Sequence, residues 1–160
     1  MIKGLHHNAY RCRDSEETRL FYEDFLGLPL VHAFRIDTTM TGRDTGVLHS
    51  FYEMSDGSYL AFFEAPGQQF EFKRQHDFDL HIALEVSDGW LEQMFTKART
   101  EGREVRGVSD HGFCRSIYFR DPNGYVIELA ARTGVAFHPT VGSHRQEARR
   151  SLNEWQESKI

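Results

Sequence analysis

Cysteine is scarce in this sequence: Cys12 and Cys114 are the only two in 160 residues. Two cysteines cannot frame a disulfide-stapled secreted scaffold, so both are expected as free thiols in a reducing cytoplasm. Long apolar runs are missing as well. No stretch of 18 apolar residues occurs, which excludes a membrane-spanning helix, and Met1-Ile2-Lys3-Gly4 opens without the apolar segment of a secretion signal. There is no basic surplus either. Nineteen Lys and Arg face 24 Asp and Glu, a net charge of −5, which argues against nucleic acid as the partner. What is plentiful is phenylalanine, at 13 residues. Its large apolar side chains allow a sizeable core in a chain of this length, built as one domain or as two fused half-size repeats.

A repeat is visible. Leu5-His6-His7 leads through strand-forming residues to Asp14, and Leu80-His81 leads in the same way to Asp88. Each aspartate stands seven positions after a histidine and precedes a helical pattern. The first helix has capping-box form, Asp14-x-x-Glu17, with Thr18, Phe21, Tyr22 and Phe25 on one face and Gly27 and Pro29 as stops. The second carries Leu91, Met94, Phe95 and Ala98 on one face and ends at Gly102. Three strands are expected after each helix. In the first half they are Leu30–Ile36, Val47–Met54 and Tyr59–Glu64, with a polar loop over 37–46 and an Asp56-Gly57 turn. In the second half they are Arg103–Val108, Phe113–Phe119 and Tyr125–Ala130, the last two joined by Asp121-Pro122-Asn123-Gly124. The fold class that follows is α+β: one domain over 1–132 made of modules 1–66 and 77–132. Residues 133–160 form an extension in which Ser143-x-x-Gln146 can cap a helix bearing Ala148, Leu152 and Trp155. That helix is expected either to dock on its own domain or to grip a second subunit.

Strand parity selects the chemistry. In Leu80–Val86 the apolar Ile82, Leu84 and Val86 face a helix, leaving His81, Ala83 and Glu85 for a cavity. The matching residues in the first copy are His7, Ala9 and Arg11, and His6 falls on the opposite face. Arg11 and Glu85 are expected to form a salt bridge across the pseudo-twofold. A carboxylate comes from Tyr125-Val126-Ile127-Glu128-Leu129, where Glu128 sits alone in an apolar strand and needs a cation or hydrogen-bond partner. Two imidazoles and one carboxylate make a facial set with open positions, suited to non-haem iron or manganese. Aligning the two final turns sets Phe62 opposite Glu128. Glu64 shares the face of Phe62 and is a candidate fourth ligand.

The stretches Gly4-Leu5-His6-His7, Phe21-Tyr22-x-x-Phe25-Leu26-Gly27-Leu28 and Asp121-Pro122-Asn123-Gly124-Tyr125-Val126-Ile127-Glu128-Leu129 resemble the vicinal oxygen chelate superfamily of glyoxalases, bleomycin-resistance proteins and extradiol dioxygenases. The resemblance covers roughly residues 4–131. It implies two βαβββ modules whose mixed sheets form a cup around one divalent metal, with His7, His81, Glu128 and a position at or near Glu64 as ligands. It also implies a metal that chelates vicinal oxygens of the substrate and acts as a Lewis acid. The segment Asp110-His111 to Tyr118-Phe119 is similar to its counterpart in extradiol ring-cleaving dioxygenases, which makes His111 and Tyr118 candidate catalytic residues. Ser116 and Cys114 share the Tyr118 face.

The leading expectation is therefore a cytoplasmic, homodimeric, metal-dependent enzyme resembling the catechol ring-cleaving dioxygenases. It would use Fe2+ or Mn2+ and take a small molecule, an aromatic diol, as its partner. A glyoxalase-like lyase or isomerase with four ligands would use Ni2+ or Zn2+. A metal-free ligand-sequestering protein of the bleomycin-resistance type is disfavoured by the ligand residues. A fosfomycin-resistance type of transferase would need a basic pocket, for which Arg11, Arg115 and Arg120 are the nearby candidates. His7 and His81 meet either within one chain or between two chains that exchange modules.

Overall fold

The computed structural model describes residues 1–135 and 143–159. Module one runs β1 (His7–Cys12), α1 (Ser15–Arg19), a π-helical turn (Leu20–Phe25), β2 (Leu30–Thr38), β3 (Asp44–Glu53) and β4 (Tyr59–Glu64). Module two runs β5 (His81–Val86), α2 (Asp88–Thr100), β6 (Arg106–Asp110), β7 (Cys114–Arg120) and β8 (Val126–Arg132). The last helix, α3 (Ser143–Glu157), stands in the extension, and the cap proposed for it at Ser143 lies outside the described side chains. No described helix is long and apolar enough to cross a membrane.

The two halves have the same topology. Their sheets have the orders β1-β4-β3-β2 and β5-β8-β7-β6, each with one parallel pair, β1 with β4 and β5 with β8. Neither closes into a barrel. The expected α+β class and the repeat of two βαβββ modules with a C-terminal helix are what the structure has. The first helix starts where expected, because the Asp14 side chain accepts the Glu17 N–H at 2.8 Å. The second is capped one residue earlier than the repeat suggested, by Ser87, whose hydroxyl accepts the Trp90 N–H. The loop expected over 37–46 is shorter, since β2 and β3 extend into it.

The helix-bearing faces of the two sheets pack together. Thr18, Phe21, Tyr22 and Phe25 are buried with Leu91, Met94 and Ala98, as their spacing predicted, and Ile82, Ile117, Ile127 and Leu129 join the same core. Phe25 meets Phe119 edge-on, with ring centroids 5.4 Å apart. Polar bonds lock the joint. Tyr22 donates its hydroxyl to Asp121 at 2.9 Å, Asn123 accepts the Arg13 N–H at 2.8 Å, and Tyr125 donates its hydroxyl to the Arg11 carbonyl at 3.0 Å. The Asp121-Pro122-Asn123-Gly124 turn is thus docked into the back of module one, and the opposite faces of both sheets are left open.

Register decides what those open faces carry. Ala83 pairs with Glu128 and Glu128 with Tyr118, so His81, Ala83, Glu128 and Tyr118 share one face. In module one Ala9 pairs with Ala61, and Ala61 with Phe51. Ala61, not Phe62, is therefore the counterpart of Glu128. The sequence alignment of the two turns was one residue out, and a one-residue shift exchanges the faces of a strand. Phe62 is fully buried in the core, and Glu64 points to that same side.

The salt bridge expected between Arg11 and Glu85 does not form. Glu85 pairs with Arg132 at 2.7 Å, and Arg11 donates to Gln68 at 2.9 Å and to the Ala65 carbonyl at 3.4 Å. With the modules joined on their helix sides, the two open faces bearing these residues are not turned toward each other.

Candidate metal centre

Four of the six residues singled out in the sequence converge: His81, Glu128, Tyr118 and His111. His81 Nε2 lies 3.2 Å from Glu128 Oε2. Its other nitrogen, Nδ1, is 2.8 Å from the Asp77 carbonyl. A carbonyl only accepts, so Nδ1–H donates to it and Nε2 is the atom presented to the carboxylate. A metal between Nε2 and the carboxylate would take both as ligands, and a backbone carbonyl behind the imidazole is the usual means of orienting a metal-binding histidine. The donor set therefore fits a divalent metal. Glu128 is 8% exposed, too buried for its charge to be left to solvent.

A chain of hydrogen bonds continues from the carboxylate. Tyr118 donates its hydroxyl to Glu128 Oε1 at 3.3 Å, and His111 Nε2 lies 3.1 Å from the same hydroxyl oxygen. The single phenolic proton goes to Glu128, so His111 Nε2 donates to the tyrosine. Burial, reinforced by the neighbouring Glu128 carboxylate, pushes the Tyr118 phenol above its ordinary range, which keeps it protonated at neutral pH. Beyond Glu128 the same face opens into a cavity of about 530 Å³ lined by Ala83, Phe113, Cys114, Ala130 and Arg132 among others. Small side chains at Ala83 and Ala130 make that room.

His7 is not part of this cluster. Its ring packs 5.6 Å from Phe51 and 6.4 Å from His49, on the open face of module one. Among the described residues no three His, Cys, Asp or Glu side chains converge as a metal site. Glu64 is elsewhere again, because its Oε2 accepts the Ser15 N–H at 2.7 Å and so serves the N-terminus of α1.

Asp77 and Arg106 went unnoticed in the sequence. The Asp77 carbonyl aims His81, while its side chain is paired with Arg106, whose hydrogen bond holds that carboxyl below its ordinary range. The Arg106 guanidinium in turn lies 4.8 Å from the centre of the Tyr118 ring. One comes from the connecting segment and the other from β6, so no local motif links them. His49 also went unnoticed, although alternation with Phe51 along β3 places it on the face of His7.

Residues 4–129 match the family model described as the glyoxalase/bleomycin resistance protein/dioxygenase superfamily. The metallothiol transferase FosB of Shouchella clausii is 25% identical over 138 residues, 83% of each chain. Among solved structures, a glyoxylase/bleomycin resistance protein/dioxygenase domain from Frankia sp. superposes with a TM-score of 0.67 at 17% identity, covering 82% of this chain and 99% of that one. The fosfomycin resistance protein FosX of Listeria monocytogenes superposes with a TM-score of 0.62 at 21% identity, covering 84% and 97%. With the match spanning both modules, the chain belongs to the glyoxalase/bleomycin resistance protein/dioxygenase superfamily.

Proposed function

We propose that this protein is a divalent-metal-dependent enzyme that binds a small substrate through two neighbouring oxygens. The observation that carries the reading is the His81–Glu128 pair, backed on one side by the Asp77 carbonyl and on the other by Tyr118 and His111. His81 and Glu128 would hold the metal together with His7 from a second copy of the chain, since His7 of the same chain stays with its own module. One nitrogen from each histidine and one carboxylate oxygen suit Fe2+ or Mn2+. Bound there, the ion supplies Lewis acidity toward the substrate oxygens.

The chain's own residues do the rest. Glu128 accepts the Tyr118 proton and so fixes the hydroxyl; that proton would turn to a substrate oxygen once the Glu128 carboxylate engages the metal. His111 backs that hydroxyl and can replace the proton it gives up. Ala83 and Ala130 leave the space in which the substrate lies.

Ring cleavage of an aromatic diol is the finer reading that this histidine–tyrosine pair supports. Similarity to FosB and FosX favours a second, fosfomycin-type reading, and a FosX variant has been solved with Mn(II) and 1S,2S-dihydroxypropylphosphonic acid. Two of the three arginines available to a phosphonate are engaged. Arg115 pairs with Asp88 and Glu92, and Arg120 donates to the Lys73 and Gly124 carbonyls. A glyoxalase-type site wants Glu64 as a fourth ligand, and Glu64 caps α1 instead.

Anaerobic purification followed by metal analysis, then exposure to catechols and oxygen, tests the proposal. Bound iron or manganese with oxygen uptake and a yellow ring-fission product supports ring cleavage. Consumption of fosfomycin with a thiol supports the second reading. Failure to bind any divalent metal after reconstitution overturns both.

A further inference from the structure

Arg106 stands in the same cross-strand row as the candidate centre. It pairs with Tyr118, Tyr118 with Glu128, and Glu128 with Ala83, so all four share the open face of module two. The row runs from one edge of the sheet to the other, since β6 and β5 are its outer strands. Three strand spacings separate them, about 14 Å, which is further than one side chain reaches. The segment between the modules closes that distance. It is anchored at Lys73, whose carbonyl accepts from Arg120 at 3.1 Å and whose N–H donates to the Asn123 carbonyl at 2.8 Å. Three residues on, the His76 carbonyl accepts the N–H groups of Asp79 and Leu80 at 2.9 and 3.2 Å, closing a turn with Asp77 inside it.

That turn sets both ends of Asp77. Its carbonyl accepts from His81 Nδ1 at 2.8 Å. Its carboxylate, 19% exposed, is paired with Arg106 through one oxygen, and the other oxygen lies 2.8 Å from His76 Nδ1. The Arg106 guanidinium lies in turn 4.8 Å from the centre of the Tyr118 ring. A planar guanidinium can meet a carboxylate with its edge while its face rests on a ring. The ion pair adds little to stability, because the Arg106 side chain is 61% exposed and exposed pairs are weak. What it fixes is geometry: the residue that aims His81 and the cation on which Tyr118 rests form one unit.

We propose that Arg106 is a positioning residue of the metal centre, holding the His81 ring through Asp77 and the Tyr118 ring through its own guanidinium plane. Without it the Asp77 carbonyl drifts and the His81 ring loses its fixed orientation. Partners that orient a metal-binding histidine in this way are worth about ten- to a hundredfold in metal affinity. The effect on affinity rests on the reading of His81 and Glu128 as ligands, whereas the placement of the His81 ring does not.

Nitrogen NMR of the metal-free protein at about pH 8, with isotope-labelled histidine and His81 assigned by His81→Gln, tests the ring placement. Nδ1 of His81 is expected to carry a proton, whereas a free neutral imidazole carries its proton mostly on Nε2. Arg106→Met should move the proton toward Nε2, and Arg106→Lys, which keeps a cation for Asp77, should restore part of the native signature. Tyr118→Leu should act in the same direction as Arg106→Met, and Tyr118→Phe, which keeps the ring, should not. Calorimetric titration with Mn2+ should show binding at least tenfold weaker in Arg106→Met, with its melting temperature nearly unchanged. A native His81 protonated on Nε2 alone overturns the proposal, as does a signature or a Mn2+ affinity indifferent to Arg106→Met. A large fall in melting temperature that Arg106→Lys does not restore also overturns it, in favour of a purely structural arginine. If the native protein takes up no Mn2+, the metal reading fails while an Arg106-dependent His81 signature still supports the placement of the ring.

Discussion

Glu64 stands three positions beyond Ala61, the residue that matches Glu128, and an odd offset along a strand reverses the face. One carboxylate therefore serves a helix N-terminus and the other faces the candidate metal. Glu64→Ala is expected to leave metal content unchanged and to cost about 1–2 kcal/mol of stability by orphaning the Ser15 N–H. Glu128→Gln and His81→Ala should each abolish metal binding with little change in melting temperature of the apo protein. Metal analysis with thermal denaturation of the three variants checks both statements.

His49 gives a pH signature. Burial holds its imidazole below the ordinary histidine range, opposed in part by the bond to the Phe62 carbonyl. The folded state then resists a proton that the unfolded chain accepts at about pH 6.5. Stability is full above that pH and declines as the pH falls through it. Chemical denaturation at pH 7.5 and 5.5 should show the loss, and the loss should shrink in His49→Phe.

At the scale of elements, caps and turns were legible because their signals are local. Asp14, the Asp56-Gly57 turn and Asp121-Pro122-Asn123-Gly124 all do what their residue types suggest. Gly124 has a further reason to be glycine. Its φ is +96°, and a side chain there would collide with the Lys73 backbone, which crosses the turn and donates its N–H to the Asn123 carbonyl. Gly124→Ala is expected to cost several kcal/mol, more than the ~1 kcal/mol of a simple left-handed glycine, and to appear as a large fall in melting temperature. The π-helical turn after α1 left no trace in the sequence. It shifts a hydrogen bond by one residue, Leu26 N–H to Phe21 carbonyl, within a stretch whose Phe21, Tyr22 and Phe25 are all buried. Strand register was misread for the same kind of reason: the turn residues align the modules to within one position, and only the hydrogen-bonded ladder resolves that position.

At the scale of the whole molecule, the modules are joined back to back through Phe25, Phe119 and the bonds of Tyr22 to Asp121 and Arg13 to Asn123. That joint keeps His7 from the His81–Glu128 pair of its own chain. If the proposed centre forms between two chains, mixing has a distinctive outcome. His7→Ala and His81→Ala proteins should each fail to bind metal alone. A refolded mixture should recover metal, because a heterodimer has one site with both ligands intact. No recovery, with heterodimers shown to form, would mean that the ligands must come from one chain. The extension adds a second element to watch: Leu152 and Trp155 are exposed on α3, rather than docked against the domain.

The sequence by itself determined the repeat, the helix faces and the two strand histidines, because these rest on periodicity and spacing along the chain. It also picked out Glu128, since a lone carboxylate in an apolar strand is conspicuous wherever the strand goes. Tertiary structure alone decided which residues share a face across strands, what Glu64 and Arg11 are bonded to, and how the modules join. Those depend on register and on packing between segments far apart in the chain, and neither leaves a local mark.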